Sequence, residues 1–233
     1  SVRSGACLTL VPRFDATKAL EVIGRDEVTV FEGVPTMYAG MLNAPDASSY
    51  DVSSLRTCIS GGSAMPVEVM KSFEKTFDCM VLEGYGLSET SPVASFNQPD
   101  IERKPGSIGL PVRGVEMTLV DPVDGIGEIA IRGHNVMKGY WNKADATASA
   151  IDADGWFRTG DLARVDADGY YFIVDRKKEM IIRGGFNVYP REIEEVIYEH
   201  PDVAEAALVG LPHDDLGEEV GAAIAIDIGG QTV

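Results

Sequence analysis

Positive charge is scarce in this sequence: 20 lysines and arginines stand against 37 aspartates and glutamates in 233 residues, a formal net charge of −17. A chain this acidic does not present the broad basic face that a polyanion needs, which argues against nucleic acid as a partner. Cysteine is scarce too. Cys7, Cys58 and Cys79 lie in apolar contexts without metal-ligand spacing, and an odd count does not build a disulfide framework, so they read as reduced core thiols of a cytoplasmic protein. His134 follows a strand with no second ligand near it, and His200 and His213 read as surface residues, so no metal role is assigned to any of them. No apolar run approaches the length of a membrane span and no charged-then-apolar leader opens the chain; a transmembrane segment is not expected, and peripheral membrane contact stays open. Internal repeats and low-complexity tracts are missing. The chain begins at Ser1 without methionine, inside what reads as a strand, as a fragment would.

What is present is a globular composition and, from Ala6 to Tyr85, apolar strands alternating with amphipathic helices, which predicts a largely parallel α/β sheet. ACLTLV, VTVFEGV, RTCIS and DCMVLEGYG are the expected strands. Asp15 caps a helix that turns Ala19, Leu20, Val22 and Ile23 to one face, and Pro35 opens a second helix through Met41 as its first residue. Pro66 starts a third, with Val67, Met70, Phe73 and Phe77 at core-facing spacing. From Pro99 to Thr147 the texture changes to short strands punctuated by Pro and Gly, the pattern of a small antiparallel barrel or sandwich. Asp166-Ala167-Asp168-Gly169 reads as a hairpin turn between DLARV and YYFIV. Pro190 begins a helix whose Ile193, Val196 and Ile197 face one way, Pro201 ends it, and VAEAALVG and EVGAAIAID follow as strands.

Three stretches carry chemistry. In Ser60-Gly61-Gly62-Ser63 a strand runs through a glycine turn toward a helix N-terminus, which sets backbone N–H groups at the carboxyl end of a sheet; it either docks a nucleotide or simply joins strand to helix. Glu83 to Thr90 combines an aromatic ring, two glycines, two hydroxyls and a carboxylate. There Tyr85 could stack on a base, Ser88 and Thr90 could bond phosphate oxygens, and Glu89 could hold Mg²⁺; the alternative is an ordinary polar loop after a strand. Between Trp156 and Glu194, Asp161 follows Gly160 on a tight turn, where a carboxylate can accept hydrogen bonds from a diol such as a ribose. The next hairpin delivers Asp175, Arg176, Lys177 and Lys178 together. With Arg183 and Arg191 these cations read either as a site for a small phosphorylated ligand or as a solvated basic face.

Taken together, these stretches resemble the adenylate-forming (AMP-binding) enzymes: acyl-CoA synthetases, aryl-CoA ligases, firefly luciferase and the adenylation domains of nonribosomal peptide synthetases. The resemblance is carried by GVPTMY at 33–38, SGGSAMP at 60–66, YGLSET at 85–90, GEIAIRGHNVMKGYW at 127–141, FRTGDL at 157–162 and DRKKEMIIRGGFNVYPREIE at 175–194, in family order. It implies an α/β portion over 1–110 holding the adenine and Mg²⁺ loop, a small β-barrel over 111–174 ending in the ribose turn, and an incomplete α+β C-terminal subdomain over 175–233. Gly61, Gly62 and Ser63 would line the adenine with Tyr85 against its face, in a nucleotide-binding run that includes Glu83, Gly84 and Gly86. Ser88 would touch the α-phosphate and Glu89 the Mg²⁺. Asp161 would take the ribose hydroxyls, Arg176 the ribose and phosphate side, and Ile173 would pack near the base. Lys178 falls at the family hinge, beyond which orientation is expected to vary most, and Gly184, Gly185 and Phe186 along the pantetheine path of CoA.

The implied reaction is ATP-dependent activation of a carboxylic acid to an acyl-adenylate, then thioester formation as CoA displaces AMP. Charge neutralisation dominates such chemistry, so a Ser-His-Asp arrangement is not required. Two family lysines have no counterpart in the sequence, one from a phosphate loop before GVPTMY and one from a late PKTxSGK-like segment. The chain therefore resembles a middle and early C-terminal portion that is inactive in adenylation alone. Lys178 and the wording DRKKEMIIRGG resemble acyl- or aryl-CoA ligases, with a medium- or long-chain fatty acid favoured over an aromatic one. A carrier-protein-loading adenylation enzyme and a non-catalytic AMP-binding or interaction fragment are the alternative readings.

Overall fold

The computed structural model describes residues 2–200 and 202–226. They form two compact units: one runs to Tyr85 and includes Asn97–Gly106, and the other holds Gly86–Phe96 with what is described from Ser107 onward.

In the first unit α1 (Ala16–Arg25), β1 (Val30–Gly33), α2 (Pro35–Leu42), β2 (Thr57–Ser60), α3 (Val67–Phe77) and β3 (Met80–Gly86) alternate. The strands pair in parallel in that order, Val30 with Thr57 and Thr57 with Met80. Asp15 caps α1 by accepting the Lys18 N–H at 2.8 Å, and Ala19, Leu20, Val22 and Ile23 are buried as the periodicity predicts. Pro35 is the first residue of α2, where its missing N–H removes no helical bond. Phe31, Tyr38, Phe73 and Phe77 form a chain of rings with centroids 5.3, 4.8 and 4.6 Å apart. The fully buried Tyr38 hydroxyl donates to the Ile59 carbonyl at 2.7 Å, so the tyrosine of GVPTMY is a core anchor with its polar end satisfied. Glu74 of α3 accepts the Val81 N–H at 2.8 Å and pairs with Arg103, which donates to the Val81 carbonyl at 2.6 Å. Those bonds pin α3 to the start of β3.

Two expectations for this unit are corrected. Residues 6–11 form no strand: nothing among the described residues pairs with them, and Leu8 and Leu10 are 60% and 80% exposed. Apolar alternation makes a strand only when a neighbour takes up the backbone N–H and C=O groups. Cys7, in the same stretch, is exposed rather than a core thiol; Cys58 is buried and Cys79 half-buried, their sulfurs 3.6 Å apart.

The second unit opens with β4 (Val93–Phe96), antiparallel to β5 (Leu110–Pro111). The expected antiparallel body follows as a meander of β6 (Val115–Val123), β7 (Ile126–Gly133), β8 (Phe157–Val165) and β9 (Tyr171–Arg176), with the short helix α4 (Ala144–Ala150) between β7 and β8. Asp124 and Gly125, with φ of 49° and 83°, turn the first hairpin. Asp166 turns the last, its Oδ1 accepting the N–H groups of Asp168 and Tyr170 at 3.0 and 2.9 Å. The sheet curls: the Tyr171 hydroxyl on β9 donates to the Met117 carbonyl on β6 at 2.8 Å, and Ile129, Ala130 and Ile131 fill the interior.

Beyond Arg176, β10 (Ile181–Arg183), β11 (Phe186–Val188), β12 (Val203–His213) and β13 (Gly217–Ile226) form a sheet of order β11-β10-β13-β12, and α5 (Pro190–Tyr198) packs against β12. The expected apolar packing face of α5 is not the buried one: Ile193 and Val196 are 38% and 64% exposed, and Ile197 is half-buried. The reason lies in β12, an edge strand whose outward N–H groups need acceptors. Glu194 accepts from Leu208 N–H at 2.8 Å and the Tyr198 hydroxyl from Ala206 N–H at 3.2 Å, so the helix turns polar side chains to that edge. Pro201, expected to end this helix, and Asp227, expected to end the last strand, lie outside the described residues.

Phe73→Ala removes the middle of the aromatic chain and is expected to cost roughly 3–5 kcal/mol of unfolding free energy in urea titration. Val196→Ala should change it by less than about 0.5 kcal/mol. Equal effects would contradict the assignment of the core.

Candidate functional site

In the first unit β2 and β3 end side by side, Ser60 opposite Glu83. Past Ser60 the chain turns through Gly61 and Gly62, the latter at φ 84°, and a Cβ on Gly61 would sit 3.5 Å from the Gly84 carbonyl oxygen. The glycine turn and Gly84 are thus neighbours at the carboxyl ends of two parallel strands, with Ser63 exposed beyond them. Ser60 Oγ is buried without a hydrogen-bond partner among the described residues. Glu83 is buried, its carboxylate accepting the Gly106 N–H at 2.8 Å and its carbonyl the Asn97 N–H at 2.9 Å. Tyr85 is half-buried at the end of β3.

In the second unit Gly86 is a glycine of necessity, since any Cβ there would collide with the Pro92 carbonyl. Ser88 to Thr90 make a single 3₁₀ turn with Ser88 exposed and Glu89 half-buried. Thr90, weighed above as a phosphate contact, is corrected to an internal clamp. Its hydroxyl is fully buried, accepting the Leu87 N–H at 2.9 Å and donating to the Pro92 carbonyl at 2.6 Å. Glu89 is held by the segment between β7 and α4: its carbonyl accepts the Met137 N–H at 2.7 Å and its Oε1 accepts the Tyr140 hydroxyl proton at 3.0 Å. Desolvation, then the Glu89 carboxylate, push the Tyr140 pKa up, which keeps the hydroxyl a donor. Sequence reasoning missed Tyr140, although its place in HNVMKGYW was a signal.

The Gly160–Asp161 turn is a wide irregularity in β8. Against β7, Glu128 pairs with Leu162 and Ala130 with Arg158, so Thr159, Gly160 and Asp161 stand opposite Ile129 alone. Such a bulge bends the strand and re-aims side chains. Gly160 takes φ 78°, and its N–H, displaced from the ladder, is accepted by Glu128 Oε1 at 3.1 Å. Asp161 is buried to 7% exposure and its carboxylate lies 3.3 Å from Arg176 Nε on β9. Ile173 sits on β9 with its carbonyl taken by Arg191 Nη1 at 3.0 Å. The structure therefore brings Asp161, Arg176 and Ile173 together on two paired strands.

The basic residues do not form one patch. Lys177 reaches Glu128 at 3.2 Å, Arg183 pairs with Glu219 at 2.5 Å, and Arg191 lies 3.7 Å from Glu195. The Arg183 hydrogen bond holds the Glu219 carboxyl down to about 2. An acidic chain supplies each of these cations with its own carboxylate, and they stand on different elements: Lys177 after β9, Arg183 on β10 and Arg191 on α5. Asp175 is turned inward, accepting the N–H of Arg191 at 3.4 Å at the start of α5, and burial raises its pKa. Lys178 is exposed in the turn between β9 and β10, where Glu179 and Met180 N–H groups both reach the Arg176 carbonyl. Gly184 and Gly185, at φ 58° and 85°, turn the β10–β11 hairpin, and Phe186 after them is 78% exposed. No group of three or more potential metal ligands occurs among the described residues, and no helix among them is long and apolar enough to cross a membrane.

Thr90→Val strands the buried Leu87 N–H and is expected to destabilise the second unit by about 1–3 kcal/mol, read by denaturant unfolding. An unchanged midpoint would show that the clamp is dispensable.

A family model of AMP-binding enzymes matches residues 1–141, and one of the AMP-binding enzyme C-terminal domain matches residues 192–232. The chain is 42% identical to the long-chain-fatty-acid–CoA ligase of Bacillus subtilis (strain 168), over 98% of this chain and 42% of that protein. It is 41% identical to the mitochondrial medium-chain acyl-CoA ligase ACSF2 of Rattus norvegicus, over 100% of this chain and 40% of that one. Among solved structures, ATP-bound MatB from Rhodopseudomonas palustris matches with a TM-score of 0.88 at 38% identity, covering 94% of this chain and 44% of that chain. The chain thus spans well under half the length of these relatives. With two family models matched in order and relatives about 40% identical, the chain belongs to the AMP-binding enzyme family and carries part of the adenylate-forming fold.

Proposed function

We propose that, in an enzyme of the relatives' length, this chain supplies much of the nucleotide side of an acyl-CoA synthetase: ATP and a carboxylic acid give an acyl-adenylate, and CoA then displaces AMP. The observation that carries the reading is the β8 bulge, which sets a buried carboxylate, Asp161, beside the guanidinium of Arg176 on a rigid sheet. A ribose needs acceptors for two hydroxyls and a phosphate needs a cation nearby, and this pair offers both. Gly61, Gly62, Ser63, Gly84 and Tyr85 would contribute backbone and an aromatic face to the base. The Glu83 carboxylate is already engaged with Gly106, so its part would be structural support for that strand end.

Ser88 would reach the α-phosphate. Glu89 offers one carboxylate with Tyr140 on one of its oxygens, which suits a magnesium ion held mainly by nucleotide phosphates rather than by a cage of side chains. Bound there, Mg²⁺ would offset the charge that develops as pyrophosphate leaves. Lys178 would be the pivot of the C-terminal portion, and turning about it would have to release the Arg191 bond to the Ile173 carbonyl. Gly184, Gly185 and Phe186 would line the CoA path. The names of the two similar ligases, one long-chain and one medium-chain, favour a fatty acid as the substrate.

On this reading AMP or an acyl-adenylate analogue raises the melting temperature of the chain, by about 2.7 kcal/mol of stabilisation at a hundred times Kd. Asp161→Ala removes the shift, and the wild-type chain shows no pyrophosphate exchange because the two lysines expected for adenylation are missing from it. Absence of stabilisation by either ligand would favour a non-catalytic interaction fragment. Pyrophosphate exchange above background would refute the dependence on those lysines.

A further inference from the structure

Glu128 has no place in the nucleotide site, yet its carboxylate holds three donors beside it. It lies on β7 directly beneath the β8 bulge and is buried to 7% exposure. Its two oxygens do different things. Oε1 accepts the Gly160 N–H at 3.1 Å, and Oε2 accepts from Arg158 Nη2 at 2.8 Å and from Lys177 Nζ at 3.2 Å. The Gly160 carbonyl in turn accepts the Lys177 N–H at 2.9 Å. One carboxylate therefore ties the turn before Asp161 to the residue after Arg176, by a side-chain bridge that runs parallel to the backbone bond.

The bulge explains why a carboxylate is needed there. Three residues of β8 face one residue of β7, so the Gly160 N–H has left the ladder and needs another acceptor. A neutral acceptor could satisfy that N–H alone. It could not also hold two cations, Arg158 and Lys177, which converge on the other oxygen. Burial works to raise the Glu128 pKa, but the bonds from Arg158, Lys177 and Gly160 outweigh it and hold the group below the usual carboxylate range.

We propose that Glu128 is a positioning residue for nucleotide binding: its carboxylate replaces the ladder acceptor lost at the bulge and joins both strand ends, fixing the turn that aims Asp161 and the strand end that carries Arg176. The proposal rests on the AMP-site reading for its functional half and on geometry alone for its structural half. Glu128 touches no ligand itself; it acts through Gly160 and Lys177. A carboxylate serving only stability would make all the amides of the sheet less protected when removed. A positioning carboxylate makes the loss local.

The test is site-resolved amide hydrogen exchange and AMP titration, both on the 233-residue chain, wild type against Glu128→Gln. Glutamine keeps an oxygen for Gly160 but sets a neutral amide against Arg158 and Lys177. The expected result is exchange about tenfold or more faster at Gly160 and Lys177, unchanged at Ile129 and Ile131, and AMP affinity weaker by about tenfold, as loss of hydrogen bonds to a charged group gives. Unchanged protection at Gly160 and Lys177 overturns the pinning. Faster local exchange with unchanged AMP affinity overturns the positioning role. If the wild type itself shows no AMP binding, the nucleotide reading falls, and with it the functional half, while the exchange data still decide the pinning. Should Glu128→Gln fail to fold, Lys177→Met at an exposed position removes only the strand-end arm; it should weaken AMP binding several-fold, and an unaltered affinity overturns the proposal.

Discussion

Three residues of β8 stand opposite one residue of β7, and much of the second unit is arranged around that mismatch. An unbroken ladder would send the side chain after Gly160 to whichever face strand alternation dictated. The bulge frees it, at the cost of an amide that the sheet no longer satisfies. Glu128 answers for that amide, Thr159 braces the turn by donating to the Ile129 carbonyl and accepting from Asp161 N–H, and Lys177 closes the far side. Asp161 can then be nearly buried and still stand against Arg176. A site built on a paired sheet in this way is held more stiffly than one on a free loop.

The acidity of the chain fits the same logic. With 37 acidic residues against 20 basic, cations are supplied sparingly and several near the site meet a carboxylate: Arg158 and Lys177 at Glu128, Arg176 at Asp161, Arg183 at Glu219. This suits a small phosphorylated ligand that competes for one or two guanidinium and ammonium groups, and it does not suit a polyanion. The first unit, by itself, presents a different kind of surface, backbone rather than charge. Its glycine turn after β2 and the end of β3 lie together because parallel strands end on the same side, a placement that follows from topology alone.

Much of this was legible where one residue type has one local physical consequence. Asp15 caps α1, Pro35 and Pro190 each open a helix, and Asp166 with Gly169 turns a hairpin, because each of these depends on a bond or angle within a few residues. Two of the misreadings have a long-range cause. ACLTLV alternates as a strand should but has no neighbour to pair with among the described residues, and Cys7 goes to the surface with it. The α5 periodicity marks Ile193 and Val196, whereas the open edge of β12 calls for Glu194 and Tyr198. Thr90 looked like a phosphate contact because its hydroxyl partners, Leu87 and Pro92, are set by the fold of the turn. Glu128 and Tyr140 went unnoticed for the long-range reason: each acts on a motif 32 or 51 residues away in sequence.

The central claim is that one nucleotide site includes the β8 turn and its β9 partner. Chemical-shift mapping of the isotopically labelled chain during AMP titration addresses it most directly. Saturable shifts concentrated at Gly160, Asp161, Ile173 and Arg176 are the predicted result. Saturable binding that leaves Gly160, Asp161 and Arg176 unmoved would contradict the account.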